Sequence, residues 1–297
     1  MNGETGTGTA TPAETEHEAD VGERATPSQS HVLETIVRRE LQTVRRTRTF
    51  LLLGFALTVV LLGVAWVGGG VRGGYVPTAV DLLTPLELLI PIVAVAFGYR
   101  AVLADERRGE LDVLRTYPVS SWQVVGGAYL GRAAGLVTAV AFPLVVVALA
   151  VALTGTEEVR IYATHAGADS PILFARVVVL TILFALVVLA VAIAISAVAS
   201  TTRSALALAV VALVVVLVGA DLAIVYGLAS GFVGDSSLVY TLALSPISAY
   251  RGLVLETAVV VASGTGPRTA APIASLLGLF LWAGVSLAVA TVAVRRS

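Results

Sequence analysis

The chain has 297 residues, of which 57% are hydrophobic and only 13% charged, and its formal net charge is −1. Soluble domains carry about 25% charged residues, so a water-covered globule is excluded and the chain reads as an integral membrane protein. It contains neither cysteine nor lysine; disulfides, thiolate metal sites and a lysine-bearing Walker A phosphate loop are therefore excluded.

Residues 1–30 carry Glu4, Glu14, Glu16, Glu18, Asp20 and Glu23 against Arg24. This acidic tail has too little apolar surface to fold, and it lacks the basic start and apolar core of a signal peptide. In residues 31–48, Val32, Ile36, Val37, Leu41 and Val44 recur near helical spacing, while Arg38, Arg39, Arg45, Arg46 and Arg48 supply a polar face. The pattern predicts an interfacial helix with its apolar side in the acyl boundary and its arginines at lipid phosphates. Residues 49–297 then predict six spans, each near the roughly 20 residues that cross a bilayer. They are Thr49–Gly68, Thr84–Leu103, Ala133–Leu153, Val177–Ser200, Ser204 to about Gly227, and Ala271–Val294. The predicted fold is an all-α polytopic membrane protein with six transmembrane helices behind an N-terminal interfacial helix. Pro91 and Pro143 fall inside spans and predict kinks.

Between the second and third spans lies the most informative stretch. Asp105, Glu106, Arg107, Arg108, Glu110, Asp112 and Arg115 are interleaved with Leu111, Val113 and Leu114, and Pro118 breaks the run. Ser120 or Ser121 is placed to cap a second amphipathic helix entering the third span. A short charged helix with an apolar edge, projecting from a membrane, has the shape that fits a groove on a soluble partner.

This segment resembles the hallmark loop of type 2 ABC exporter permeases. The resemblance is carried by Glu106, Arg107, Glu110, Leu111, Leu114, Pro118, Val119, Ser120, Leu130 and Gly131. The family usually has Gly-Thr-Leu where this chain has Gly109-Glu110-Leu111, and Gly-Lys precedes the last Leu-Gly where Gly127-Ala128-Tyr129 stands here. Ile36-Val37-Arg38-Arg39-Glu40-Leu41 is similar to the family's elbow helix, and the likeness covers about residues 32–296. The resemblance implies a coupling helix, with Glu106, Arg107, Arg108, Gly109, Glu110, Leu111, Leu114 and Pro118 docking on a separate ABC ATPase subunit. ATP is then bound by that partner, with no cofactor in this chain. It further implies pairing as a homodimer or with a paralogous permease, and export. A motor-independent pore or scaffold is the alternative.

Glu87 is expected near the external end of the second span. Asp221, 18 residues after Arg203, lies about 27 Å along a helix and so near the external interface. Each is either an interfacial carboxylate reaching water or part of the polar mouth of a translocation path. The external stretch from Ala229 to Ala271 is too broken to span and too apolar for a free loop, so it predicts a re-entrant or interfacial hairpin. Its Ser245-Pro246-Ile247-Ser248-Ala249-Tyr250-Arg251 run is similar to a stretch of the permease subfamily that serves nitrous oxide reductase maturation, with Ser245 and Ser248 in place of Asn and Asp. Tyr250 and Arg251 join Glu87 and Asp221 as candidates for the path. That subfamily implies delivery of a sulfur species or copper. The single methionine, Met1, leaves no thioether-lined copper path.

With both termini on one side, that side holds 14 of the 19 arginines. This bias places both termini in the cytoplasm of a cell whose plasma membrane the chain crosses. Enzyme chemistry is not supported. His17, His31 and His165 share no span, Glu157-Glu158-Val159-Arg160 has the wrong spacing for a prenyl-type protease, and no GxSxG occurs. Membrane lipid is a partner and nucleic acid is not; no metal site is expected.

Overall fold

The computed structural model of the protein describes residues 48–103, 120–154, 169–234, 237–263 and 270–296. The acidic tail, the interfacial segment short of Arg48, and Glu106, Arg107, Arg108, Gly109, Glu110, Leu111, Leu114 and Pro118 lie outside the described residues. Among those described, six helices are long and apolar enough to cross a membrane. They are α1 (Arg48–Val67), α3 (Tyr75–Gly98), α4 (Ser121–Thr154), α5 (Pro171–Val198), α6 (Thr202–Ala229) and α9 (Pro272–Arg296). A single turn, α2 (Gly70–Gly73), joins α1 to α3. Two shorter pieces, α7 (Leu238–Leu244) and α8 (Pro246–Val260), precede α9 and meet at a bend of 119°.

The helices alternate in direction, and side-chain contacts fix which ends are level. Phe50 at the start of α1 stacks on Phe97 at the end of α3, with ring centroids 4.1 Å apart. Arg132 of α4 reaches the same place, its Nη1 donating to the Phe97 carbonyl at 2.8 Å. This is the loop end, from which residues 104–119 connect α3 to α4. The opposite, hairpin end carries α2, the start of α5 and the α7–α8 pair.

Local sequence sets the boundaries. α5 begins where Ser170 accepts the Ile172 amide and Pro171 supplies a ready-made first helical residue. α6 begins with a reciprocal capping box between Thr201 and Ser204. At the hairpin end Asp169 accepts both the Tyr75 and Val76 amides, at 3.0 and 2.8 Å, so the start of α3 has no orphan donors there.

Two spans are longer than the charges imply. α3 starts at Tyr75 rather than Thr84, and α4 starts at Ser121 rather than Ala133. Asp81 and Arg132, which read as boundaries, are each satisfied inside the protein: Asp81 accepts the Gly70 amide at 3.0 Å and Arg132 caps α3. A charge ends a span only when it needs water.

α5 is the central helix and has no polar face. It packs on α9, α3, α4 and α8, and Phe184, Val188, Leu189 and Ile193 are fully buried along it. α6 is the peripheral one, leaving Leu206, Val211, Val214, Leu222 and Tyr226 exposed. Apolar surface of that kind is expected where lipid or another membrane helix is the neighbour.

Candidate functional site

Ser245 makes the hairpin. Its backbone is extended (φ −87°, ψ 125°), which ends α7, while its hydroxyl accepts the Ser248 amide and Pro246 opens α8. The bend sits well along the bundle's length from the hairpin end. Leu244 at the tip receives a 2.8 Å hydrogen bond from Nε1 of Trp282, ten residues into α9, about 15 Å from that helix's start. α8 then returns toward the hairpin end along α5: Tyr250 is level with Thr181, and Thr257 with Arg176 near the start of α5. The stretch therefore dips in and comes back, which fits the re-entrant rather than the interfacial of the two forms that its composition allows.

Gly278 makes the close approach possible. A Cβ at that position would sit 2.0 Å from the Ala243 carbonyl oxygen, so only glycine lets α9 pass α7 at this distance.

The hairpin carries Arg251 to Glu87. Arg251 Nε donates to Glu87 Oε1 at 2.7 Å, and Nη2 donates to Oε2, a bidentate pair. Glu87 is only 3% exposed, whereas the Arg251 side chain is 48% exposed. The pair is buried on the carboxylate side and open on the other. Fork-shaped donors matched to both carboxylate oxygens are what make a buried carboxylate tolerable.

The neighbouring residues of α8 bind two further spans. Ser248 Oγ donates to Asp221 Oδ1 of α6 at 2.8 Å. Tyr250 is fully buried, stacks on Phe184 of α5 (centroids 4.8 Å apart, planes 8° apart), and its hydroxyl lies 2.9 Å from Thr181 Oγ. The Thr181 hydroxyl already donates to the Val177 carbonyl at 2.7 Å, so the phenol is the donor between them. Two π-helical stretches flank this knot, Val215–Gly219 just before Asp221 and Leu255–Val260 in α8; such irregularities concentrate where helices do functional work.

All four residues nominated for a path thus meet on one hairpin, but not in the expected setting. Glu87 does not stand at an end of its span with its carboxylate in water. Because α3 begins at Tyr75, Glu87 lies twelve residues in, about 18 Å from the hairpin end and halfway along that helix. Asp221 is eight residues before the end of α6 and reaches a serine rather than an arginine. Thr181, Phe184 and Gly278 are the residues that sequence reasoning passed over, and Ser248 was noted without its partner Asp221. Ser248 was legible: three residues before Arg251 on a helix, it shares that residue's general face.

The comparisons with known proteins agree with this architecture. The family model described as ABC-2 family transporter protein matches residues 34–297. The chain is 32% identical over 277 residues to the probable ABC transporter permease protein NosY of Pseudomonas aeruginosa, covering 89% of this chain and 98% of that one. It is also 32% identical over 123 residues to the protein of the same name from Stutzerimonas stutzeri, covering 40% and 45% of the two chains. Six apolar spans, a re-entrant hairpin and these matches lead to one conclusion: the chain belongs to the ABC-2 transporter family, as the membrane permease subunit of an ABC transporter.

Proposed function

We propose that this permease exports its substrate past the hairpin gate, driven by an ATPase subunit that grips the charged segment between α3 and α4. In this reading Glu106, Arg107, Arg108, Gly109, Glu110, Leu111, Leu114 and Pro118 form the docking surface. The ATPase binds ATP, since this chain lacks the lysine of a phosphate loop. The arginine bias puts the loop end and both termini in the cytoplasm, and the hairpin outside. The multi-pass chain sits in the plasma membrane, and two copies, or one copy and a paralogous permease, enclose the path. The weakly covered α6 supports a second permease on that side.

The observation that carries the gate is the Glu87–Arg251 pair. A carboxylate at mid-span depth is costly in lipid and marks a pathway by default. Here it is neutralised by an arginine on a re-entrant element, not on another spanning helix, so moving α8 necessarily changes the electrostatics of the bilayer centre. Asp221 and Tyr250 tie the same element to α6 and α5.

Motor docking is tested by deleting residues 106–114 or by Glu110→Arg. Both variants are expected to insert and accumulate in membranes normally while losing co-purification of the ATPase subunit. Unchanged co-purification after the deletion contradicts the docking assignment.

A further inference from the structure

The loop end contains a polar clamp whose position is informative. α3 ends at Gly98, so the Phe97 carbonyl has no intrahelical donor. Arg132, on α4 and 9% exposed, supplies one at 2.8 Å and places a cation at a helix C-terminus, where it is favoured. Five residues on, Val102 and Leu103 are the last described residues before the 104–119 segment. Their amides both donate to Ser196 Oγ of α5, at 3.0 and 3.1 Å. Ala101, Val102, Leu103 and Ser196 are all essentially inaccessible. The chain leaving α3 is thus held to α4 by one side chain and to α5 by another.

α3, which runs directly into that segment, and α5, reached through Ser196, also hold the hairpin. α5 bears Ser196 at one end and, fifteen residues earlier, Thr181 against Tyr250; that is about 22 Å of helix. α3 bears Phe97 and, ten residues earlier, Glu87 against Arg251, about 15 Å. Beside the loop-end pin α3 and α5 are in tight contact: a Cβ on Gly98 would lie 2.5 Å from the Ala192 Cβ. Packed interiors transmit displacement because they do not compress.

We propose that α3 and α5 work as a pair of rods joining the motor-docking segment to the hairpin, and that Arg132, which braces the end of α3 against α4, and Ser196, which ties the chain leaving α3 to α5, are the positioning residues that keep that junction rigid. This rests on the docking reading above. Both side chains are buried; each acts by making movement of residues 104–119 a movement of α4 and α5 as well. Without the clamp, the segment still docks, but its displacement is absorbed by bending between Gly98 and Leu103.

The cysteine-free chain permits a direct test. Tyr226 of α6 and Tyr240 of α7 are both well exposed; Tyr226→Cys and Tyr240→Cys accept spin labels that report the hairpin's position against α6. The labelled permease, diluted with unlabelled chain, is studied as its complex with the ATPase subunit in lipid nanodiscs by pulsed electron resonance, with and without a non-hydrolysable ATP analogue. With the clamp intact, the analogue is expected to shift the distance distribution. In Arg132→Ala/Ser196→Ala the shift is lost while ATPase co-purification and ATP hydrolysis persist. Arg132→Lys with Ser196→Thr, which keeps a donor and a hydroxyl, restores it; this separates fastening from loss of fold. A full shift in the double alanine variant overturns the proposal, as does a label pair that never moves with the clamp intact. Loss of the ATPase from the double variant also overturns it, since the residues then serve docking. Failure of the unaltered chain to hold an ATPase removes the docking reading first, and this one with it.

Discussion

At the scale of single residues, the Glu87–Arg251 pair is the most consequential contact. Breaking a buried ion pair by removing one partner costs roughly 3–5 kcal/mol, because the survivor stays buried and uncompensated. Arg251 is half exposed and Glu87 is not, so the two truncations are unequal. Arg251→Gln strands the carboxylate and is expected to destabilise by about 3 kcal/mol, the low end of that range. Glu87→Gln leaves a guanidinium that reaches solvent on its open side, and is expected to cost less. The double variant Glu87→Gln/Arg251→Gln should recover part of the Arg251→Gln loss, because two amides can hydrogen-bond without a buried charge. Reversible unfolding in detergent, run as a double-mutant cycle, checks this order. A smaller loss for Arg251→Gln than for Glu87→Gln contradicts the assigned burial.

At the scale of elements, the hairpin depends on backbone approach as much as on charge. Gly278→Ala introduces a methyl group 2.0 Å from the Ala243 carbonyl oxygen, and neither partner is a flexible side-chain tip. α7 must move away from α9, with a cost of about 1–3 kcal/mol typical of overpacking and loss of the Trp282–Leu244 hydrogen bond. Gly63→Ala, which meets nothing within 4 Å, is the matched control and is expected to be neutral. Thermal unfolding of the two variants, with tryptophan emission as a second readout, tests the difference. The same element shows what sequence alone conveys. That the stretch from Ala229 to Ala271 holds a hairpin was legible from its apolar but interrupted pattern; that the bend falls at Ser245-Pro246 is shown by the folded chain. That Arg251 finds Glu87 was not, because the partners are 164 residues apart and nothing local couples them. Glu87 was read as standing near a helix end for a related reason. Asp81 seemed to bound the span, and only the folded chain shows the Gly70 amide satisfying it.

At the scale of the whole molecule, six crossings with the hairpin dipping between the last two follow from the positions of charge-free runs, and these were readable because lipid forces every backbone group into a helix. Which helices neighbour each other was not readable. α5, with no polar face, could have faced lipid on any side, yet it is the hub on which α3, α4, α8 and α9 converge. On the proposed function the permease is a two-ended device, gripped at the loop end and gating at the hairpin end, and the grip is what drives the rest. A photo-crosslinking amino acid in place of Leu111, activated in native membranes, tests this most directly. A light-dependent adduct that contains an ABC ATPase subunit and that disappears with Glu110→Arg is expected. Adducts confined to lipid or to a second permease chain, with no ATPase captured from Leu111 or from Leu114, would contradict it.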